Sequence, residues 1–412
     1  MTGPGPASAR EREAVRTRWL VVAALFVVTA CVSTSVSAFG VFLPVLADTF
    51  GWSRGAVSMA LSINLFFGGV TAFGVASVAD RHGPRGVLVG TALIGAAGFL
   101  LTSRVQELWQ FYLCYGVLVG TGMSSIYVLS TATVSRWFTD RRGLALAVVL
   151  SGFNLGWLMG GPFAAMLIER WGWRAAYVVL GLCVGGIAGP TSLLVRYPER
   201  HGGAGAAGGR DRSAVRHAFR AAMTDRRLWQ LVGAWFCLGL VYMTVTVHSV
   251  PFARDLGLPL DRASLLLTGY GVGATVGRLV SGAVADRFGA LATMHGCVFI
   301  QATALVVLLI GPPPWALTAV LVAFGLGASG ADNAFVKVVP EVFGLLALAS
   351  VMGVLGLGWR TGGASGPAAA GFLYDATGSY TIAFTGVLVV LGVAGVLFSL
   401  GSRPTADASV RG

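Results

Sequence analysis

Two arginines stand where hydrocarbon-facing residues are expected. Arg278 lies inside LLLTGYGVGATVGRLVSGAVADRFG (265–289), and Arg360 lies inside LGLGWRTGGASG (355–366). A guanidinium in an apolar span is costly, so it turns toward a bundle interior or a water-filled path. There it offers a planar fork of donors that matches a carboxylate, on a charge that burial does not remove. The helical neighbours of Arg278 are small: Gly271, Ala274, Thr275, Ser281 and Gly282. Those of Arg360 are Gly353, Gly356, Gly363 and Ala364. Small residues serve close helix packing or leave room for an anion, and spacing alone keeps both readings open. Two unpaired cations facing one cavity would repel, so an empty site of this kind favours an anion. The alternative is that carbonyls, or an acid such as Asp332, satisfy each arginine.

Other side chains suited to a pocket are Asn64, Tyr127, Asn154, Trp157, Tyr270 and Trp359, which supply hydrogen bonds or aromatic walls. Asp332 is the clearest carboxylate in an apolar span and the candidate for proton coupling; Lys337, the only lysine, follows it. His248 reads as structural, with a proton role conceivable. No HExxH, GxSxG or Cys/His cluster is present, so no enzyme activity, metal or cofactor is expected. The five cysteines show no paired spacing and read as packing residues.

The elements that must position these groups are membrane helices. Hydrophobic residues make up 55% and charged ones 11%, against roughly 25% charged in soluble domains. An apolar run from about residue 19 to 50 is too long for a cleaved signal. The pattern predicts an all-α membrane protein of twelve spans in two six-helix halves, 19–195 and 228–400. A tail (1–18), a Gly- and Arg-rich linker (196–227) and a second tail (401–412) flank them. With both termini in the cytoplasm, cytoplasmic segments hold 21 of the 29 Lys and Arg and outer loops hold 6. That asymmetry fixes the orientation and removes the nucleic-acid reading of a +12 chain. Arg141 and Arg142 oppose the dipole of the helix they start, so lipid headgroups are their expected partners, with Asp140 as a local cap.

The two halves echo each other. VASVADRHGPRG ends the second span and SGAVADRFGA ends the eighth, which aligns Asp80, Arg81 and Gly83 with Asp286, Arg287 and Gly289. The chain thereby resembles the major facilitator superfamily. The glycines permit a tight turn, and the charged pairs could join neighbouring helix ends in one conformation and release them in another, as a cytoplasmic latch. SRWFTDRRGLALAVVLSGFNLGWLMGGP (135–162), GWRAAYVVLG (172–181) and FLYDATGSYTIAF (372–384) are similar to signatures of the monocarboxylate transporter and oxalate/formate antiporter group.

That resemblance implies a secondary carrier of a small organic anion, such as lactate, pyruvate, formate or oxalate, working by alternating access. In the oxalate/formate branch it further implies cations on spans 8 and 11 that grip the substrate, positions matched by Arg278 and Arg360. Proton-carrying monocarboxylate relatives have a lysine in span 1 and an acid four residues before the span 8 arginine. Here span 1 lacks lysine and that acid position is Ala274, so exchange and symport through substrate or Asp332 both stay open. A drug or metabolite exporter is the alternative; two sixfold halves fit a carrier better than a channel or receptor. Scarce lysine beside abundant Arg, Ala and Gly points to a high-GC bacterium, hence its cytoplasmic membrane. Partners expected are the anion, protons and membrane lipids, with a monomeric chain.

Overall fold

The computed structural model describes residues 6–138, 141–197, 212–344 and 346–403. Their regular structure is helical, with no strand among the described residues. In hydrocarbon the backbone has no water to bond, and a helix satisfies its amides within one segment. The helices are α1 (Pro6–Ser37), α2 (Phe39–Phe50), α3 (Arg54–His82), α4 (Pro84–Thr102), α5 (Leu108–Trp137) and α6 (Arg142–Cys183). There follow α7 (Arg212–Thr224), α8 (Arg226–Asp255), α9 (Leu260–Ile310), α10 (Leu317–Phe343), α11 (Leu348–Thr377) and α12 (Thr381–Gly401).

Nine helical stretches among the described residues are long and apolar enough to cross a bilayer. Two of them, of 49 and 51 residues, are each long enough to do so twice. Both break at a glycine: Gly172 at φ 80°, ψ 163°, and Gly289 at φ 84°, ψ 161°. Gly83 between α3 and α4 adopts the same conformation, φ 86°, ψ 162°. A Cβ is disfavoured there, so one glycine each time ends a span and starts the next. With α11, whose thirty residues carry Arg360, the described helices are consistent with twelve spans.

Contacts divide the described residues into two compact units. One draws on Met1–Ala38 and Phe67–Arg200, the other on Phe39–Phe66 and His201–Gly412. In the first, α1 and α6 meet along Gly152, Gly156 and Gly160, where an added Cβ would strike Phe26, Ser33 and Thr34. Ser33 and Ser37 donate across this seam to the carbonyls of Phe153 (3.0 Å) and Gly156 (2.8 Å). Val21, Leu25, Leu88, Leu129 and Val149 form the apolar core beside it.

The second unit has two such seams. On α9, Gly269, Gly273 and Gly277 lie against the Thr318, Val322 and Leu326 carbonyls of α10; on α11, Gly358, Gly362 and Gly366 lie against the Val232, Phe236 and Leu240 carbonyls of α8. Glycine every fourth residue lines one helix face and lets backbones approach, which drives association where lipid offers no hydrophobic gain. The linker holds a helix, α7, in its described part. Its Arg, Ala, Phe and Met are helix-compatible, and Arg216 and Arg220 share one face. Residues 198–211 lie outside the described ones.

Candidate functional site

Arg278 projects from the first limb of α9 toward α10. Its Nε donates to Ser329 Oγ (3.3 Å), while Nη2 stands 3.9 Å from Asp332 Oδ2. That ion pair is at the limit of contact, and the Arg278 side chain keeps 41% of its surface accessible. The second oxygen of Asp332, Oδ1, is buried with no hydrogen-bond partner among the described residues. Tyr270 lies within electrostatic reach of both charges. The carbonyl of Arg278 accepts from Asn333 Nδ2 (2.8 Å), which also donates to Ser281 Oγ (2.8 Å). Lys337 continues the ladder, donating to the Ala285 carbonyl (2.7 Å) and Asp286 Oδ1 (2.9 Å). Ser329, Asn333 and Lys337 thus recur every fourth residue, a polar seam that continues the glycine seam along α9 and α10.

The small residues around Arg278 divide between the two roles open to them. Ala274 and Ser281 pack on Gly325 and Gly330 of α10, whereas a Cβ on Gly282 would meet nothing within 4 Å.

Arg360 differs. Among the described residues its guanidinium has no hydrogen-bond or ion-pair partner, and it is half-buried on α11. A Cβ on Gly353 or Gly356 would meet nothing within 4 Å, so these glycines border open space; a Cβ on Gly363 would instead meet the Met243 side chain at 3.0 Å. Packing on α8 is done by the separate stripe Gly358, Gly362 and Gly366. The charge and the open glycines are therefore distinct from the seam that holds the helix.

The remaining pocket candidates do not gather around one arginine. Asn64 (4% exposed) and the half-buried Tyr270 and Trp359 belong to the second unit. Tyr127, 53% exposed with its ring 5.9 Å from Phe153, belongs to the first, with the half-buried Asn154 and Trp157.

A second constellation centres on Arg54, which sequence reasoning counted only as an outer-loop charge. Its guanidinium grips Asp255 with both ends of the fork, Nη1 to Oδ2 at 2.7 Å and Nη2 to Oδ1 at 2.6 Å. It stacks 3.9 Å from the Tyr374 ring centroid, and Nη1 also donates to Tyr380 Oη (3.0 Å). Asp375 accepts from the amides of Arg54 (2.9 Å) and Gly55 (2.8 Å), satisfying the first free N–H groups of α3. Tyr380 Oη lies 3.0 Å from Nδ1 of the fully buried His248, whose Nε2 lies 2.8 Å from the Pro367 carbonyl. Tyr374, Asp375 and Tyr380 all come from the signature stretch at 372–384.

Comparison with known proteins places this architecture. The family model of the Major Facilitator Superfamily matches residues 25–260 and 247–411. The chain belongs to the major facilitator superfamily. Within the superfamily it is similar to the monocarboxylate transporters. It is 27% identical to monocarboxylate transporter 13 of Bos taurus over 399 residues, covering 93% of this chain and 89% of that protein. To monocarboxylate transporter 11 of Homo sapiens it is 27% identical over 390 residues, 91% and 81% of the two chains. A bacterial relative, the uncharacterized MFS-type transporter YcxA of Bacillus subtilis (strain 168), is 26% identical over 396 residues, 94% and 95%. Among solved structures, a bacterial homolog to the human lysosomal transporter Spinster, in its inward-facing and unoccupied conformation, superposes with a TM-score of 0.80. It covers 97% of this chain and 98% of that one at 16% identity, a likeness of fold. The protein is a multi-pass membrane transporter of this superfamily, as these relatives are transporters.

The superfamily's paired turns are partly visible. Gly83 and Gly289 share one backbone conformation, Asp286 pairs with Lys337, and the Arg287 guanidinium lies 5.3 Å from the ring centroid of its neighbour Phe288. Arg81 is exposed; the side chain of Asp80 and all of Asp140 lie outside the described residues. Lys337 as partner of Asp286 was not expected. Its only sequence signal was being the sole lysine of an arginine-rich chain.

Proposed function

We propose that this transporter carries a small organic anion, a monocarboxylate or short dicarboxylate such as lactate, pyruvate, formate or oxalate, by alternating access. The observation that carries the reading is Arg360: a cation on a membrane helix, without a partner among the described residues and beside glycines that border open space. An unpaired charge is costly inside a membrane protein, and a carboxylate supplies both the missing countercharge and acceptors for the guanidinium fork. Arg278 is the second anchor. Its contact with Asp332 is long enough to be exchanged for substrate oxygen.

Asp332 is the coupling group in this reading. A buried carboxylate oxygen without a donor is relieved by a proton, which would also free Arg278 for the anion. Proton-coupled symport and anion exchange share this site and differ in whether Asp332 loads. Tyr270, Trp359, Asn64, Tyr127, Asn154 and Trp157 would line the path, and the halves 19–195 and 228–400 would rock about it. Asp80, Arg81 and Gly83, with Asp286, Arg287 and Gly289, would latch the cytoplasmic turns. The charge distribution supports cytoplasmic termini, scarce lysine beside abundant Arg, Ala and Gly supports a bacterial cytoplasmic membrane, and the working unit in this reading is the monomer.

Calorimetric titration of the purified protein with lactate, pyruvate, formate and oxalate tests the anchor. Charge-assisted hydrogen bonds contribute about 1.5–3 kcal/mol, so Arg360→Ala should weaken binding of the recognised anion about ten- to hundredfold. Arg360→Lys keeps the charge but loses the fork and should fall between. Binding of none of the four would return the chain to the drug or metabolite exporter class.

A further inference from the structure

For a neutral His248, the partners around Arg54 fix the hydrogens. The Pro367 carbonyl only accepts, so His248 Nε2 carries a hydrogen and donates it. Arg54 Nη1 only donates, so Tyr380 Oη accepts from it and turns its own hydrogen to His248 Nδ1. In that arrangement the imidazole is neutral, and both its nitrogens and the Tyr380 hydroxyl have a partner.

A second proton on this imidazole is opposed while the network stands. An imidazolium Nδ1 would have to donate to Tyr380 Oη, which already accepts from a guanidinium. Two cations would then share one neutral oxygen, and the phenolic hydrogen would lose its acceptor. The surrounding charged and titratable groups give no relief. Asp255, on the helix of His248, is held by both ends of the Arg54 fork. Asp375 on α11 is occupied by the amides of Arg54 and Gly55, and Tyr374 on α11 is stacked on Arg54. Both His248 and Tyr380 are shut from solvent, at 0% and 3% exposure. A proton reaches Nδ1 only after Arg54 leaves Tyr380.

We propose that His248 is a proton-binding site whose occupancy excludes the Arg54 contacts, so that a proton taken from water at the α3, α8 and α11 ends holding Arg54 releases residues 39–66 from α8, α11 and Tyr380. A proton adds to the Nδ1 lone pair, the Tyr380 hydroxyl gives up its hydrogen bond to Nδ1 and accepts from the new N–H instead, and the hydrogen bonds and ion pair of Arg54 are broken. Acid therefore favours the released form, and neutral or alkaline pH favours the closed one. The inference rests on this network alone and stands whatever the substrate is.

The test uses full-length protein in detergent, without substrate, in a background whose five cysteines are replaced by serine. Ser58, fully buried one turn beyond Arg54 on α3, becomes the reporter as Ser58→Cys; exposed Thr49 becomes the reference as Thr49→Cys. Their maleimide-labelling ratio, read from pH 5.5 to 8, cancels the titration of the thiol itself. The ratio should rise on acidification, by at most about tenfold per pH unit for one linked proton. His248→Gln should remove that response. Asp255→Asn, which loosens Arg54 without touching the imidazole, should keep the response and move its midpoint to higher pH. A flat ratio in the unsubstituted network overturns the proposal, as does a His248→Gln response equal to it. Should His248→Gln not fold, Asp255→Asn decides alone: loss of its pH response would place the proton on Asp255 and overturn the site.

Discussion

Two glycines six residues apart on α11 should respond to alanine in opposite ways. At Gly362 the new Cβ would be driven into the Phe236 carbonyl of α8, a backbone atom that cannot step aside as a flexible side chain would. The helices must part, and overpacking of this kind costs about 1–3 kcal/mol. At Gly356, beside Arg360, the same methyl would meet nothing within 4 Å, and removing a helix-interior glycine gains about 0.4–1 kcal/mol by restricting the unfolded chain. Thermal unfolding in detergent should therefore place Gly362→Ala below the wild type and Gly356→Ala level with it or above. Transport supplies the second reading. If the space at Gly356 belongs to the anion, Gly356→Ala lowers uptake although the protein is at least as stable. Full uptake by a stable Gly356→Ala would refute the assignment of that space, and an undiminished stability of Gly362→Ala would refute the packing argument for the seam.

Two further outcomes follow from contacts already described. Asp286→Asn should leave stability unchanged within about 0.5 kcal/mol by thermal unfolding, because its partner Lys337 meets a carboxylate that is 82% exposed, where ion pairs are worth little. Asp225→Ala should destabilise α8 by about 1 kcal/mol, since Asp225 Oδ1 caps the helix by accepting from the Arg227 amide (2.8 Å). The Arg227 side chain holds the Asp225 carboxyl below its ordinary range. Its contribution is therefore present above the unfolded carboxylate pKa and is lost as pH falls through the lower folded value, so acid unfolding curves of wild type and Asp225→Ala should converge.

The fold was largely readable because a bilayer leaves few options: long apolar runs, positive loops and glycine turns at Gly83 and Gly289 point the same way. Arg278 and Arg360 were readable as anomalies, being charges in apolar runs. What surrounds them was not. The small residues near Arg278 serve packing at Ala274 and Ser281 yet border open space at Gly282, a division that depends on where α10 lies. Arg54 was missed for a similar reason. Its partners Asp255, Asp375 and Tyr380 lie 201 to 326 residues away, and nothing local marks them as neighbours. Sequence supplied the stretch 372–384 as a family signature without a physical role; the structure gives it one, as the clasp on Arg54 and the support of His248.

Counterflow of labelled oxalate, formate, lactate and pyruvate in proteoliposomes, comparing wild type with Arg278→Ala and Arg360→Ala, tests the central claim most directly. One of these anions should be carried, and both substitutions should abolish its uptake in folded protein. Carriage of no carboxylate, or normal uptake by the Arg360→Ala variant, would contradict the assignment of this transporter to small organic anions.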